Sequence, residues 1–339
     1  MTEAEEPIRT IYIGGGTPSL LPPKLFKKLI AELRTVFSFA DVTEFSSEAN
    51  PGTVTKKWLE TAVESGVNRL SLGMQAYQER LLRTLGRIHR FEDVDCSVNM
   101  AKDAGINNIN LDLMFGVPLQ TRADWIETMK AALSLHPTHI SAYGLIPEEG
   151  TPLFNDLHMR ILELPEPDEE RLMYDDAISF FQDQGYFQYE ISNFSLKGYE
   201  CQHNIGYWTL IPYIGLGISA ASMTQFSVGK NGLTYFRRNN PTSISEYSSM
   251  VRENPGRCHV EKINPSDACF ENVMLGLRMN CGVNEESFRK MHGRSLETCY
   301  GRKLHTLEEK GLLIHENGHW KLTRRGFDIQ NSILVELME

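Results

Sequence analysis

Three consecutive glycines, Gly14, Gly15 and Gly16, followed by Thr17 and Pro18, close the apolar stretch Thr10-Ile11-Tyr12-Ile13. Glycines at a strand end let backbone N–H groups approach a carboxylate or phosphate with no Cβ in the way. The same residues also make a tight turn that needs no ligand. Glu48, in Ser47-Glu48-Ala49-Asn50-Pro51-Gly52, ends the next such stretch. A carboxylate there can accept from an ammonium group or a ribose hydroxyl, or stand solvated. Gln75 and Asp112 occupy the same place on two further stretches. Asp112 lies among Leu111, Leu113, Met114 and Phe115, and a carboxylate in such company needs a partner, because unpaired burial is costly. Arg87 can bind a carboxylate or serve as a surface cation. His203 is followed by Asn204, Tyr207 and Trp208. A histidine beside aromatics suits a metal or a haem iron, with flat rings to pack on a porphyrin, and equally suits a hydrogen-bonded core position.

Other chemistries find no support. Ser19, Ser71 and Ser219 lack the Gly-x-Ser-x-Gly setting of an activated nucleophile. No Gly-Lys-Ser/Thr loop for nucleoside triphosphates is present. The six cysteines, Cys96, Cys201, Cys258, Cys269, Cys281 and Cys299, form no Cys-x2-Cys or Cys-x3-Cys pair and read as core or surface thiols. A net charge of −10 argues against a nucleic-acid partner, since such binding runs on Lys and Arg. No apolar run approaches the roughly 18 residues that span a bilayer, and the first residues are acidic, unlike a secretory signal. A cytoplasmic location is the expectation.

These candidate residues need strands that bring their ends together. Strands are expected over 10–13, 44–48, 69–74, 108–115, 139–145 and 188–194. Helices are expected over 23–37, 55–65, 78–104 with a break near Gly86, 122–134 and 168–184. Strands alternating with helices argue for a parallel sheet, as a partial barrel or an open α/β sheet. In both, ligands sit at the C-terminal strand ends, which is where Gly14 to Thr17, Glu48, Gln75 and Asp112 fall. From about Tyr199 the character changes. A Gly-rich segment, Gly215-Leu216-Gly217-Ile218-Ser219, and a polar stretch over 229–241 precede a small helical unit. Helices at 267–278, 284–291 and 296–310, two short strands and a last helix suggest a winged-helix-like domain. The expected division is 1–195, a linker region over 196–264 that carries His203, and 265–339.

Several strings occur in a familiar order. They are Ile13-Gly14-Gly15-Gly16-Thr17-Pro18-Ser19, Glu48-Ala49-Asn50-Pro51-Gly52, Leu72-Gly73-Met74-Gln75, Leu85-Gly86-Arg87-Ile88-His89, Asn110-Leu111-Asp112-Leu113-Met114-Phe115-Gly116 and Tyr189-Glu190-Ile191-Ser192-Asn193-Phe194. Together they resemble the radical S-adenosylmethionine (radical SAM) proteins around oxygen-independent coproporphyrinogen III oxidase, and within them the HemW-type haem chaperones. The resemblance covers nearly the whole chain. It implies a partial (β/α)6 radical-SAM-type barrel with a small C-terminal winged-helix-like domain.

The resemblance also implies that Gly15, Gly16, Thr17, Glu48, Gln75, Arg87 and Asp112 hold S-adenosylmethionine. His203-Asn204-Ile205-Gly206-Tyr207-Trp208 matches the His-Asn-x-x-Tyr-Trp pattern associated with haem, which implies a haem role for His203. The family's Cys-x3-Cys-x2-Cys motif for a [4Fe-4S] cluster is not among these residues, since no cysteine precedes Cys96. The implied protein lacks the first barrel strand and the cluster segment, and carries no ligands for the cluster of an intact relative. Two functions follow as expectations. One is haem binding with transfer to an acceptor such as a respiratory haem protein. The alternative is anaerobic oxidation of coproporphyrinogen III to protoporphyrinogen IX, or an inactive truncated homologue.

Overall fold

The computed structural model describes residues 7–227, 233–253 and 260–338. Contacts divide the chain once, into a unit Glu5–His203 and a unit beginning at Asn204. The sequence-drawn segments, by contrast, break at 195 and 264.

In the first unit strand and helix alternate. β1 (Thr10–Ile13) passes through the glycine turn to α1 (Pro23–Val36). β2 (Glu44–Ala49) leads to α2 (Lys56–Glu64), and β3 (Arg69–Gln75) to α3 (Glu79–Thr84) and α4 (Phe91–Asp103). β4 (Asn108–Phe115) leads to α5 (Arg122–Ser134), and β5 (His139–Gly144) to α6 (Pro152–His158) and α7 (Pro167–Asp183). Local chemistry sets several starts. Pro23, Pro152 and Pro167 supply a pre-set φ in a first turn. Thr55 caps α2, and Thr121 with Asp124 forms a capping box on α5. The break near Gly86 is real: α3 ends at Thr84 and Gly86 takes φ +68°.

The sheet order is β1-β2-β3-β4-β5-β7-β6, with β6 (Phe187–Gln188) and β7 (Asn193–Ser195). β1 to β5 are parallel, and β7 runs antiparallel to both β5 and β6. The continuous strand expected over 188–194 is therefore a hairpin. Fully buried Glu190 accepts the Ser192 N–H through Oε1 at 3.1 Å, and the Tyr189 N–H reaches the Asn193 carbonyl at 3.1 Å, which turns the chain back on itself.

The two faces of this sheet differ in kind. Phe45, Leu70, Leu72, Ile109, Leu111, Leu113 and Ile140 are buried and join Trp58, Leu59, Val98, Trp125, Met129 and Phe181 of the helices in one core. The alternate positions read Thr10, Tyr12, Glu44, Ser46, Glu48, Arg69, Ser71, Asn110, Asp112, His139, Ser141 and Tyr143. Parallel strands are ordinarily apolar on both faces. An inner face that is polar from end to end is built for something other than packing.

α8 (Gln202–Trp208) crosses the division between the units. In the second unit β8 (Ala221–Ser227), β9 (Leu233–Asn239), α9 (Ile244–Glu253) and β10 (Val260–Lys262) form an antiparallel sheet of order β10-β9-β8 with one helix. A strand thus occupies most of what reads as a polar stretch over 229–241. The winged-helix-like part follows: α10 (Pro265–Gly276), β11 (Val283–Asn284), α11 (Glu285–His292), α12 (Leu296–Glu309), β12 (Leu313–Glu316), β13 (His319–Leu322), α13 (Arg324–Asp328) and α14 (Gln330–Met338). Its core gathers Val273, Leu277, Phe288, Leu304, Leu307 and Trp320. No helix among the described residues is long and apolar enough to cross a membrane.

Candidate functional site

The glycine turn is tied to the end of β2 rather than left free. Gly15 donates its N–H to Glu48 Oε2 at 3.1 Å, Asn50 Nδ2 donates to Thr17 Oγ1 at 2.8 Å, and the Ser19 and Thr53 hydroxyls pair at 2.6 Å. Gly15 needs its positive φ of +79°. A Cβ built on Gly16 meets nothing within 4 Å, so the space beside the turn is open.

Across the inner face stand the polar groups of β3, β4 and β5. Asp112 accepts from Ser71 Oγ at 3.1 Å and from Asn110 Nδ2 at 2.7 Å. Gln75 is buried and holds φ +63°, a conformation that costs energy in a residue other than glycine. The β3–β4 register shifts between Leu72 and Gln75, the Tyr143 hydroxyl donates to Gln75 Oε1 at 3.2 Å, and the His89 ring bonds the Met74 carbonyl at 3.2 Å. The strained Gln75 is thus held from both sides. Arg87 is half-buried nearby, and its charge works to lower the pKa values of Tyr143 and His89.

The electrostatics ask for a cation. Burial pushes the Glu48 carboxyl above the usual range, and the charge of Asp112 adds to the rise. Burial also raises Asp112, against hydrogen bonds from Asn110, Ser141 and Ser71. A desolvated Glu48 carboxyl whose ionisation the charge of Asp112 disfavours further is relieved by a positive ligand group beside it. The open space over Gly16, the N–H-bearing turn and this carboxyl pair fit S-adenosylmethionine, which presents an ammonium, a carboxylate and ribose hydroxyls.

An iron–sulfur cluster does not fit the residues present. No three His, Cys, Asp or Glu side chains among the described residues come together to hold a metal. Cys96, Cys201, Cys269, Cys281 and Cys299 are in no disulfide, and Cys258 lies outside the described residues. No cluster chemistry is assigned to them.

His203 stands at the other end of the inner face. Its Nδ1 pairs with Thr10 Oγ1 at 2.9 Å, and its ring stacks on Tyr12 with centroids 5.1 Å apart and planes 20° from parallel. The segment reads as loop-like in sequence but is helical, because the Glu44 carboxylate accepts the N–H groups of Gln202 at 2.8 Å and His203 at 3.1 Å. Those are orphan donors of a first helical turn. Burial holds the His203 imidazole below its ordinary pKa, Arg69 adds to this and Glu44 opposes it. That shift favours the neutral form of the ring. Trp208 lies under the Arg278 guanidinium at 5.4 Å.

Sequence reasoning missed Thr10, Tyr12, Glu44 and His139 as parts of this face. Their signal was period-two alternation of polar residues within strands otherwise read as apolar. Below Asp112 the polar chain continues: Asn110 Oδ1 to His139 Nδ1 at 2.6 Å, His139 Nε2 to the Tyr189 hydroxyl at 2.8 Å, and the Cys201 N–H to that hydroxyl at 3.2 Å.

The chain is similar to known proteins over most of its length. Residues 1–132 match the radical SAM superfamily and residues 263–329 the HemN C-terminal domain. The heme chaperone HemW of Bacillus subtilis is 36% identical over 329 residues, which is 96% of this chain and 84% of that protein. The heme chaperone HemW of Escherichia coli K12 is 37% identical, also over 329 residues, covering 96% of this chain and 83% of its own length. Coproporphyrinogen III oxidase (HemN) from Escherichia coli, a radical SAM enzyme, shares the fold at a TM-score of 0.78, with 21% identity, over 97% of this chain and 77% of its own.

Proposed function

The chain belongs to the heme chaperone HemW family, and on that premise we propose that it is a radical SAM family carrier that binds haem through His203 and passes it to an acceptor protein. The observation that carries this reading is the setting of His203. Thr10 fixes one ring nitrogen, Tyr12 fixes the ring plane, and burial favours the uncharged imidazole. A neutral, oriented imidazole is what a haem iron takes as an axial ligand. His203 would hold the haem iron from this chain, and a hand-over would move the haem to a ligand on the acceptor. A respiratory haem protein is the proposed acceptor, and the cytoplasm the proposed setting.

S-adenosylmethionine belongs to the reading as a bound cofactor that serves regulation or assembly. Gly15, Gly16 and Thr17 would hold its methionine end, with Glu48, Gln75, Arg87 and Asp112 for its amino group, carboxylate and sugar. When bound it supplies a sulfonium centre. This chain's own residues bind and orient it: the Gly15 N–H sets the Glu48 carboxylate, and Tyr143 sets Gln75.

An anaerobic visible-absorbance titration with haem tests the proposal, beside His203→Ala. A saturable Soret change at about one haem per chain, weakened tenfold or more in the variant, is expected. Absence of saturable binding, binding indifferent to His203, or turnover of coproporphyrinogen III by the chain overturns it.

A further inference from the structure

Tyr12 stands between the two proposed sites and touches a residue of each. Its hydroxyl donates to Glu48 Oε1 at 2.8 Å, while its ring carries the stacked His203. The other Glu48 oxygen takes the Gly15 N–H. The contacts therefore run without a gap from the glycine turn through Glu48 and Tyr12 to His203. Gly14 is what allows the central one. A Cβ at that position would lie 2.6 Å from the Glu48 carboxyl carbon and 2.7 Å from Tyr12 Cε1. Burial, with Glu48 adding to it, pushes the Tyr12 hydroxyl well above the ordinary tyrosine range, so the phenol keeps its proton and stays a donor.

We propose that Tyr12 is a positioning residue that couples the two sites, so that S-adenosylmethionine bound at Glu48 weakens haem binding at His203, and haem weakens S-adenosylmethionine in return. This rests on the haem-carrier reading above. The physical route is the Glu48 carboxylate, whose orientation both contacts share. An ammonium group drawn to Glu48 turns Oε1 away from Tyr12, and a half-buried phenol that loses its acceptor must move to find another. His203 is stacked on that ring and follows it. Coupling between two binding sites is reciprocal by thermodynamic necessity.

The test reads haem affinity from the Soret band with and without saturating S-adenosylmethionine, and takes the ratio within each protein. The unmodified chain should show an increase in haem Kd of about fivefold or more when S-adenosylmethionine is present. In Tyr12→Phe, which keeps the ring and removes the hydroxyl, the ratio should fall below about twofold. The ratio cancels any change in haem affinity itself, so loss of coupling separates a relay from a merely structural ring. Gly14→Ala is a second variant. It forces Tyr12 and Glu48 apart and should raise the haem Kd without S-adenosylmethionine. A ratio near one in the unmodified chain, or an undiminished ratio in Tyr12→Phe, overturns the inference and leaves the haem carrier standing. Haem binding that ignores His203→Ala removes both.

Discussion

The carboxylate of Glu44, the first residue of β2, accepts the backbone N–H of His203, 159 residues further along the chain, at 3.1 Å. It takes the Gln202 N–H as well, and the Cys201 thiol donates to Oε1 at 3.4 Å. The proposed haem ligand is thus positioned by a buried acid on the sheet, which also lends its charge to buried Arg69. Glu44→Gln keeps the shape and loses one acceptor and the charge. The expected cost is about 1–3 kcal/mol, since a buried donor then goes unsatisfied. Chemical denaturation measures that cost. A Soret titration should show haem binding weakened as well, because the first turn of α8 carries His203.

Gly16 separates a fold requirement from a ligand requirement. A Cβ there meets nothing, and Gly16, unlike Gly15, has no positive φ to lose. Gly16→Ala should therefore leave the thermal midpoint within about 2 °C, a surface-level change. If the open space belongs to S-adenosylmethionine, the same methyl group should weaken its binding tenfold or more in equilibrium dialysis. Unchanged binding would assign the glycine run to a turn alone.

Asp112 is expected to trade stability for binding. Its carboxyl is raised by burial, so in the folded chain the proton is held more tightly than in the unfolded one. The stability tied to that proton is full below the unfolded value and is lost as pH rises through the folded value. Burial disfavours the ionised form, which a cationic ligand beside it would favour. Asp112→Asn keeps an acceptor for Asn110 and removes the charge. Its denaturation midpoint at pH 7 should match or exceed that of the unmodified chain, while affinity for S-adenosylmethionine falls. A lower midpoint with intact affinity would make Asp112 a structural acid.

The sheet and the strand-end polar residues were legible because their signals are local. The glycine run follows β1, Glu48 lies one residue from the end of β2 and Gln75 ends β3, and such ends converge in an α/β sheet. Asp112, by contrast, sits in the middle of β4 rather than at the strand end expected for it. The helix around His203 was not legible, since Glu44, which caps it, lies on another strand. The strand expected over 188–194 failed for a related reason. Glu190 is buried and bonds its own turn, a conformation that apolar neighbours disguise. β9 hid behind Arg237 and Arg238, because its pairing with β8 and the Arg237–Glu271 ion pair at 2.8 Å are non-local. Tyr12 read as one more apolar strand residue until its hydroxyl was seen to reach Glu48.

Haem binding should also report the pKa of His203. An exposed imidazole takes a proton near pH 6.5 and stops being a ligand. Burial lowers His203 below that value. The folded chain then keeps a neutral ring as pH falls through 6.5, where the unfolded chain gains a proton. Two consequences follow, both declines with acid but over different pH ranges. Haem affinity should hold as pH falls through the range where an exposed imidazole protonates and decline only at lower pH, as a Soret titration across pH would show. Folding stability should begin to drop near pH 6.5 and go on falling toward the depressed values. Fully buried His139, lowered well below its ordinary value by burial and Arg69, and His292, pushed by burial to about 4, add to the same loss. Glu44 opposes the shift at His203, so Glu44→Gln should move the acid limit of haem binding to lower pH even as affinity at pH 8 declines. A limit that stays at pH 6.5 in both proteins would mean that haem is held by an exposed histidine elsewhere.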